Sequence, residues 1–521
     1  MATCMGMVVR IGGNALTALK PVVKQCSRQR TSVFTPHRFS HSVRSSLYEH
    51  VSEGYSDKPE LDMRAVCEET DKVIANVANR KGDLQADDVR KIVCVWQELQ
   101  TVRTEISGLE EQKRDISDTV KAVVTKNNKK ALASLPEYTQ ALQKGRAIRN
   151  RLNELYTKES ELEKEHYGRA LRLPNTTHPD VPVGDESQAR VVELVGQKPE
   201  FDFKPRGHVQ LGEELGLIRQ KHLAHVSGHR SYYLRGAGAK LQTALQNFAL
   251  DTLQRRGFIP MVVPDLLKGV VFEGCGMQPN AHRSQVYSVD PARFTDLNLA
   301  GTGEVGVAGY FMDHAVNWND LPVRTVCSST CYRAETDTGR EPWGLYRVHH
   351  FNKVEMFGVT ADETGEESSQ LLEDFVSLQK EIFSALELHY RVLDMPTEEL
   401  GAPAHRKYDI EAWMPGRGSY GEISSGSNCT DYQSRRLNIL YEREDGSLQY
   451  AHTVNATACA IPRTIIAILE THQTKKGTVR VPKALQPYLG LEVIEKPKYT
   501  PLKYIGPIQN NRPNRPAPKS R

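Results

Sequence analysis

The feature that most restricts this chain is a pair of heptad runs. Between residues 88 and 125, Ile92, Val95, Leu99, Val102, Ile106, Leu109, Ile116, Val120 and Val123 recur at alternating steps of three and four, interrupted only by Lys113. A polar stretch over 126–136 carries Lys126-Asn127-Asn128-Lys129-Lys130. A second run then aligns Tyr138, Ala141, Gly145, Ile148, Leu152, Leu155 and Leu162, with Glu159 in the seam. Two seams of similar length across a short connection predict an antiparallel pair of long helices. Each helix has essentially one apolar seam, so its other faces meet solvent. Such a pair suits a dimerising coiled coil, part of a helical bundle, or an arm that projects toward a large partner, and periodicity alone favours the first two.

Proline ends the pattern. Leu173-Pro174-Asn175 and His178-Pro179-Asp180-Val181-Pro182 mark a linker over 173–200. Beyond it, helical stretches such as Gly238 to Arg256 alternate with strand-like ones: Phe258 to Val263, Val323 to Tyr332, Arg347 to Val359, Tyr408 to Met414 and Asn438 to Tyr441. Hairpins mixed with helices predict an α+β domain over 201–490, built on an antiparallel sheet flanked by helices. No GxGxxG follows a strand and there is no GxxxxGK[ST], so neither common nucleotide-binding loop is signalled.

Charge divides the chain further. Residues 1–46 contain no acid and seven bases, Arg10, Lys20, Lys24, Arg28, Arg30, Arg38 and Arg44. An acid-free, Arg- and Ser-rich start is the composition of an organelle transit peptide, the alternative being an RNA-binding basic arm. Without it the chain holds 61 basic and 64 acidic residues, so any nucleic-acid contact must use local patches. Residues 491–521 form a second basic, proline-rich segment, expected to be extended. The nine cysteines show neither CxxC pairs nor zinc spacing, and the longest aliphatic runs are too short to cross a bilayer.

Residues 325–357 concentrate the chemistry. Period-two alternation puts Cys331, Arg333 and Glu335 on one face of a first strand, and Arg347, His349, Phe351, Lys353 and Glu355 on one face of a second. Val348, Val354 and Met356 point to the buried side. A face with arginines, carboxylates and one ring can grip phosphate, stack a base and hold an ammonium. Ordinary cross-strand ion pairs would look the same. Three further stretches stand out. Gly301-Thr302-Gly303-Glu304 places a hydroxyl and a carboxylate on one face of a strand or turn. Glu422-Ile423-Ser424-Ser425 offers oxygen ligands suited to Mg²⁺ and phosphate, with Asn428, Asp431, Arg435 and Arg436 extending its polarity. From Asn455-Ala456-Thr457 the chain enters an apolar helix whose lone Arg463 lies near its start, where an anion is favoured.

Taken in order, Gly257-Phe258…Pro264, the Arg333-x-Glu335 hairpin and Arg463 on an apolar helix resemble the three motifs of class II aminoacyl-tRNA synthetases. Thr302-x-Glu304, Cys331-Tyr332-Arg333-Ala334-Glu335, Gly344 to Phe351, Lys353-Val354-Glu355, the Tyr408 to Leu437 run and Pro462-Arg463-Thr464 are closer still to seryl-tRNA synthetases of the bacterial and organellar type. The resemblance spans roughly residues 60–490. It implies that Arg333, Glu335 and Arg463 are catalytic, and that Arg333, Glu335, Val348, His349, His350, Phe351, Glu422, Ile423, Ser424, Ser425 and Arg463 bind ATP. Thr302, Gly303, Glu304, Arg333, Glu355, Asn455 and Thr457 would bind L-serine, Glu422 and Ser425 would hold Mg²⁺, and Pro264 would lie at a dimer interface. The paired helices within 60–172 would then be a coiled-coil arm for tRNA, which reverses the preference from periodicity. The whole implies an organellar, homodimeric enzyme of the mitochondrial matrix, with no membrane contact. It would activate serine with ATP and charge mitochondrial tRNA(Ser), and tRNA(Sec)-type substrates where present. The other reading is a non-catalytic synthetase-like paralogue that binds RNA or protein; the presence of Arg333, Glu335, Glu355, Glu422 and Arg463 argues against it. Gly303 departs from the family's usual Ala or Ser, Asn455-Ala456-Thr457 from Asn-Gly-Ser, and the loop over 336–346 is one residue short.

Overall fold

In the computed structural model, residues 44–126, 132, 135–281, 284–335, 344–500, 502 and 504 are described, and all of them belong to one unit, Val43–Arg521. Residues 1–43 of the expected leader, most of the 336–346 loop and most of the terminal basic segment lie outside the described residues.

The described residues begin with a short helix, α1 (Ser46–Ser52); after two further short helices, Met63–Glu68 and Thr70–Asn79, come the two long heptad helices, α2 (Ala86–Lys126) and α3 (Pro136–Ala170). Proline at the start of α3 is placed where its missing N–H costs nothing. The pair runs antiparallel. Lys158 meets Glu98 at 2.7 Å, Arg151 meets Glu105 at 2.9 Å, and Tyr156 donates to Glu110 at 2.5 Å. Val95, Leu99, Val102, Leu155 and Leu162 form the buried seam near the base. Arg103 closes it by pairing with Glu159 and Glu163 at 3.0 and 2.9 Å.

After the linker come β1 (Arg190–Val195), α4 (Ala237–Arg255), β2 (Ile259–Met261), α5 (Gly269–Gly274), α6 (Gly303–Phe311), β3 (Val323–Tyr332), β4 (His350–Thr360), α7 (Glu367–Ala385), β5 (Tyr390–Asp394), β6 (Arg406–Met414), β7 (Ser419–Thr430), α8 (Tyr432–Leu437), β8 (His452–Ala460) and α9 (Ile461–Thr471). The sheet order is β1-β5-β6-β7-β8-β4-β3-β2. All neighbours are antiparallel except the edge strand β2, which pairs parallel with β3. The expected α+β architecture is present, with that parallel edge as the departure from a purely antiparallel sheet.

Alternation along β4 explains where the site can lie. Val354 and Met356 are fully buried on one face, beneath α4, α7 and α9. On the other face Phe357 and Val359 join a second core with Val305, Phe311 and Phe272 from α6 and α5. Phe351, Lys353 and Glu355 continue that second face toward the strand's start, beyond the apolar cover. One face of one strand therefore changes from core to site along its length.

The ends of the described chain are also folded. The buried carboxylate of Glu273 accepts hydrogen bonds from Ser45 Oγ (2.7 Å), Ser46 N (2.9 Å) and Leu47 N (3.0 Å), seating the start of α1. Residues 44–46, counted within the leader from sequence, are thus tied to the catalytic body. At the other end, Tyr499 donates to Gly216 O at 3.2 Å and the Tyr504 ring stacks on His222 at 3.9 Å.

Candidate active site

β3 stops at Tyr332, as expected, so Arg333 and Glu335, counted on its face from sequence, lie beyond it. Tyr332 N turns to Ala300 O and Arg333 N to His349 O, both at 2.9 Å. Glu335 then adopts a left-handed conformation, φ 46°. Its carboxylate leaves the strand face and faces Arg347 at 3.5 Å and Arg230 at 3.6 Å. Arg230 was not legible from sequence: it belongs to a loop with no periodic signal. The second strand likewise begins only at His350, so Arg347 and His349 precede it.

One cavity of about 530 Å³ collects most of the expected ATP residues. Arg333, Glu335, Val348, Phe351, Glu422, Ile423, Ser424, Ser425 and Arg463 all line it. His349 and His350 do not. His349 makes a 3.0 Å hydrogen bond with Tyr287 Oη, and His350 is exposed and stacks on Tyr232. The Arg333 guanidinium lies 5.3 Å from the Phe351 ring centroid, and its Nε donates to Gly301 O at 3.2 Å. At the far end Arg463, the third residue of α9, donates from Nη1 to Glu422 Oε2 at 2.8 Å and from Nε to Tyr346 O at 3.2 Å. The Tyr346 ring has Arg463 at 4.4 Å and Arg417 at 4.6 Å. Burial would raise the Glu422 carboxyl, but the charges of Arg463 and Lys407 and the hydrogen bond from Arg463 outweigh it and pull the group down to about 2. Glu422 is therefore ionised at neutral pH, and 36% of its side chain remains open. Ser424 turns its hydroxyl away, donating to Thr457 O. Asn428, Asp431, Arg435 and Arg436 are structural: Asp431 pairs with Arg435, Asn428 donates to Ser368 Oγ, and Arg436 donates to Leu171 O and Leu173 O.

A second group of polar side chains packs at the other end. β4 and β8 slip by one residue between Val354 and Glu355, so that Glu355 lies opposite Thr457 instead of Ala458. Thr457 Oγ1 donates to Glu355 Oε1 at 2.8 Å, and Lys353 Nζ meets the same oxygen at 2.8 Å. Thr302 Oγ1 lies 3.4 Å from Glu355 Oε2. Gly301 to Glu304 is neither a strand nor a plain turn: Thr302 is the N-cap of α6, its hydroxyl accepting from Glu304 N at 3.4 Å. Gly303 is tightly enclosed, since a Cβ there would come within 2.6 Å of Cys327 Sγ and 2.8 Å of Ser329 Oγ. Asn455, expected to close the serine pocket, donates to Glu304 Oε1 at 2.8 Å. Residues 458–460, read as helix, instead extend β8, with Ala458 and Cys459 buried in the sheet, and α9 starts at Ile461 with Pro462 in its first turn. Burial pushes the Glu304 carboxyl up to about 7, against the hydrogen bond from Gln433. Arg333 links the two groups, because it also lines an adjoining cavity of about 1000 Å³ with Thr302 and Glu335.

The described cysteines are all free thiols, and no cluster of three or more His, Cys, Asp or Glu suited to a metal occurs among the described residues. The donor set at Glu422 and Ser425 is nonetheless all oxygen, carries one ionised carboxylate and borders the same cavity as Arg463. That suits Mg²⁺, which binds through few carboxylates and keeps water and phosphate ligands.

A largely antiparallel sheet whose β3–β4 hairpin delivers one arginine, with a second arginine at the start of the helix leaving that sheet, defines the catalytic core of a class II aminoacyl-tRNA synthetase. The family model for the tRNA synthetase class II core domain (G, H, P, S and T) matches residues 287–472. Over 475 residues the chain is 61% identical to the mitochondrial serine--tRNA ligase of Mus musculus, covering 91% of this chain and 92% of that one. The Bos taurus mitochondrial serine--tRNA ligase is also 61% identical, over 474 residues and 91% of each chain. The crystal structure of seryl-tRNA synthetase from Pyrococcus horikoshii complexed with ATP aligns with a TM-score of 0.77 at 35% identity, covering 84% of this chain and 100% of that one. The chain belongs to the serine--tRNA ligase family.

Proposed function

We propose that the protein activates L-serine with ATP and transfers the seryl group to tRNA(Ser). The observation that carries this reading is Arg333, which lines one cavity with Glu422 and Arg463 and the adjoining one with Thr302. In the first step the serine carboxylate attacks the α-phosphorus, the bond to the β-phosphate oxygen breaks, and pyrophosphate leaves with the electron pair. Arg333 holds the α-phosphate and the incoming carboxylate and offsets the charge that builds between them. Phe351 stacks the adenine and Glu335 reads its edge. Arg463 holds the γ-phosphate. Glu422 and Ser425 would hold Mg²⁺, which would supply positive charge to offset that of the phosphates. In the second step a terminal ribose hydroxyl of tRNA attacks the seryl carbonyl and AMP leaves. Glu355, Thr457 and Thr302 bond the substrate's polar groups, and Glu304 holds its ammonium.

Surfaces elsewhere support the partners. Val262 is 99% exposed and Pro264 is exposed beside it, with Ile259, Leu266 and Tyr310 also uncovered. An apolar patch at the parallel edge strand suits a second copy of the chain, giving a homodimer. The antiparallel helices act as a coiled-coil arm. Its exposed Lys144, Arg146 and Arg149 would meet the tRNA backbone by charge and shape. The enzyme works in the mitochondrial matrix after loss of a leader that ends before Ser45, because Ser45 to Leu47 are held by Glu273. Serine-dependent ATP–pyrophosphate exchange tests the reading. The chain should support it and Arg333→Ala should abolish it; indistinguishable behaviour of the two would favour the non-catalytic paralogue.

A further inference from the structure

Glu304 is held in part by residues, Gln433 and Thr453, that line neither cavity described above. Gln433, fully buried on α8, donates from Nε2 to Glu304 Oε1 at 2.6 Å. The other end of the same amide is fixed: Thr453 Oγ1, also fully buried on β8, donates to Gln433 Oε1 at 2.8 Å. Asn455 supplies a second donor to Glu304 Oε1 at 2.8 Å. With Gln433 and Thr453 fully buried, the directions of these hydrogen bonds follow from the groups themselves. A carboxylate can only accept, which turns the Gln433 NH₂ toward Glu304. The carbonyl then faces Thr453, whose hydroxyl must donate. Glu304 Oε1 is thereby saturated, while Oε2 receives no protein hydrogen bond among the described residues.

We propose that Gln433, oriented by Thr453, is a positioning residue for amino-acid selection: with Asn455 it occupies Oε1 of Glu304 so that Oε2 is presented to the ammonium of serine. The inference rests on Glu304 binding serine, as set out above. Freed of Gln433, Glu304 could rotate its carboxylate, and the ammonium would meet a group with no fixed direction. The same bond favours the ionised carboxylate. The other groups facing Glu304 are Glu355 and Lys353 on β4, Arg333 beyond β3, Cys275 after α5 and Cys429 on β7. Glu355 opposes ionisation, Lys353 and Arg333 favour it, and both thiols stay protonated because burial raises them.

The test is serine-dependent ATP–pyrophosphate exchange on the full chain across pH 6–9, with KM measured for serine and for ATP. In the parent protein, serine KM should fall as pH rises through about 7, as Glu304 ionises. Gln433→Met should raise serine KM by about tenfold or more, the effect expected for one charge-assisted hydrogen bond, with ATP KM unchanged. It should also move the falling limb to higher pH. Thr453→Val, which keeps the shape and removes only the hydroxyl, should act in the same direction, and Thr453→Ser should restore parent behaviour. Melting temperature identifies any variant that fails to fold; if Gln433→Met does, the Thr453 pair decides. Unchanged serine KM and pH limb in a folded Gln433→Met or Thr453→Val, or equal changes for serine and ATP, would overturn the inference. Glu304→Gln separates the two claims. It should erase the limb and weaken serine; if it leaves serine KM unaltered, the serine reading of Glu304 is itself wrong.

Discussion

The two ends of the pocket use charge in opposite ways. At the end proposed for the phosphates, Arg463 and Glu422 form a partly open ion pair whose carboxyl is held down to about 2, so it stays ionised at neutral pH. At the end proposed for the amino acid, Lys353, Glu355, Thr457 and Thr302 form a closed set, and Glu304 is pushed up to about 7 by burial. The first arrangement offers fixed charges to a ligand that brings its own neutralising metal. The second offers directed hydrogen bonds that only a matching small molecule can satisfy. Positioning a triphosphate tolerates solvent; telling serine from alanine does not, because rejection depends on leaving buried polar groups unpaired.

The contrast can be broken most severely at the junction. Arg333→Ala should lower exchange by about 10²–10³-fold or more, the loss seen when one donor to a developing charge is removed. Arg463→Ala should follow closely, raising ATP KM while serine KM stays near parent. Glu355→Gln should sharpen the contrast from the other side. It removes a charge paired with Lys353 and should weaken serine by about 10²-fold, as expected for truncating one partner of a buried pair, while leaving ATP KM unmoved. Gly303→Ala tests packing and not charge. A Cβ wedged against Cys327 Sγ and Ser329 Oγ should destabilise by about 1–3 kcal/mol, read by thermal melting. The smallest effect belongs to the arm: Lys158→Ala breaks an exposed ion pair with Glu98 and should leave both melting temperature and exchange unaltered.

Much of this was legible. Heptads placed the arm helices to within a few residues, and apolar alternation located β3, β6 and α4. The residues that line the cavity with Arg333 and Arg463 were also marked, because arginines and carboxylates near an apolar strand are conspicuous. What alternation could not show is where strands stop. Glu335 reaches its arginines through a left-handed turn beyond β3, and Thr302 meets Glu304 through a helix cap. The bulge that sets Thr457 opposite Glu355 leaves no mark in a period-two pattern. Gln433 was missed for a different reason. It lies in a short helix among Tyr432, Arg435 and Arg436, and nothing local distinguishes a buried amide aimed at a carboxylate from an ordinary helical glutamine. Asn428, Asp431, Arg435 and Arg436 were overread, since polarity in sequence does not say whether a side chain faces a ligand or a backbone carbonyl.

The division of labour between the ends is tested most directly by one ratio: kcat/KM for serine over that for alanine in ATP–pyrophosphate exchange, measured for the parent, Thr457→Val and Arg463→Ala. The account predicts a parent ratio of about 10⁴ or more, as for a site built to bond a substrate hydroxyl. It should fall by at least about tenfold in Thr457→Val, which loses one buried hydrogen bond, and persist in Arg463→Ala despite its much lower activity. A ratio unchanged in Thr457→Val, or lost in Arg463→Ala, would contradict it.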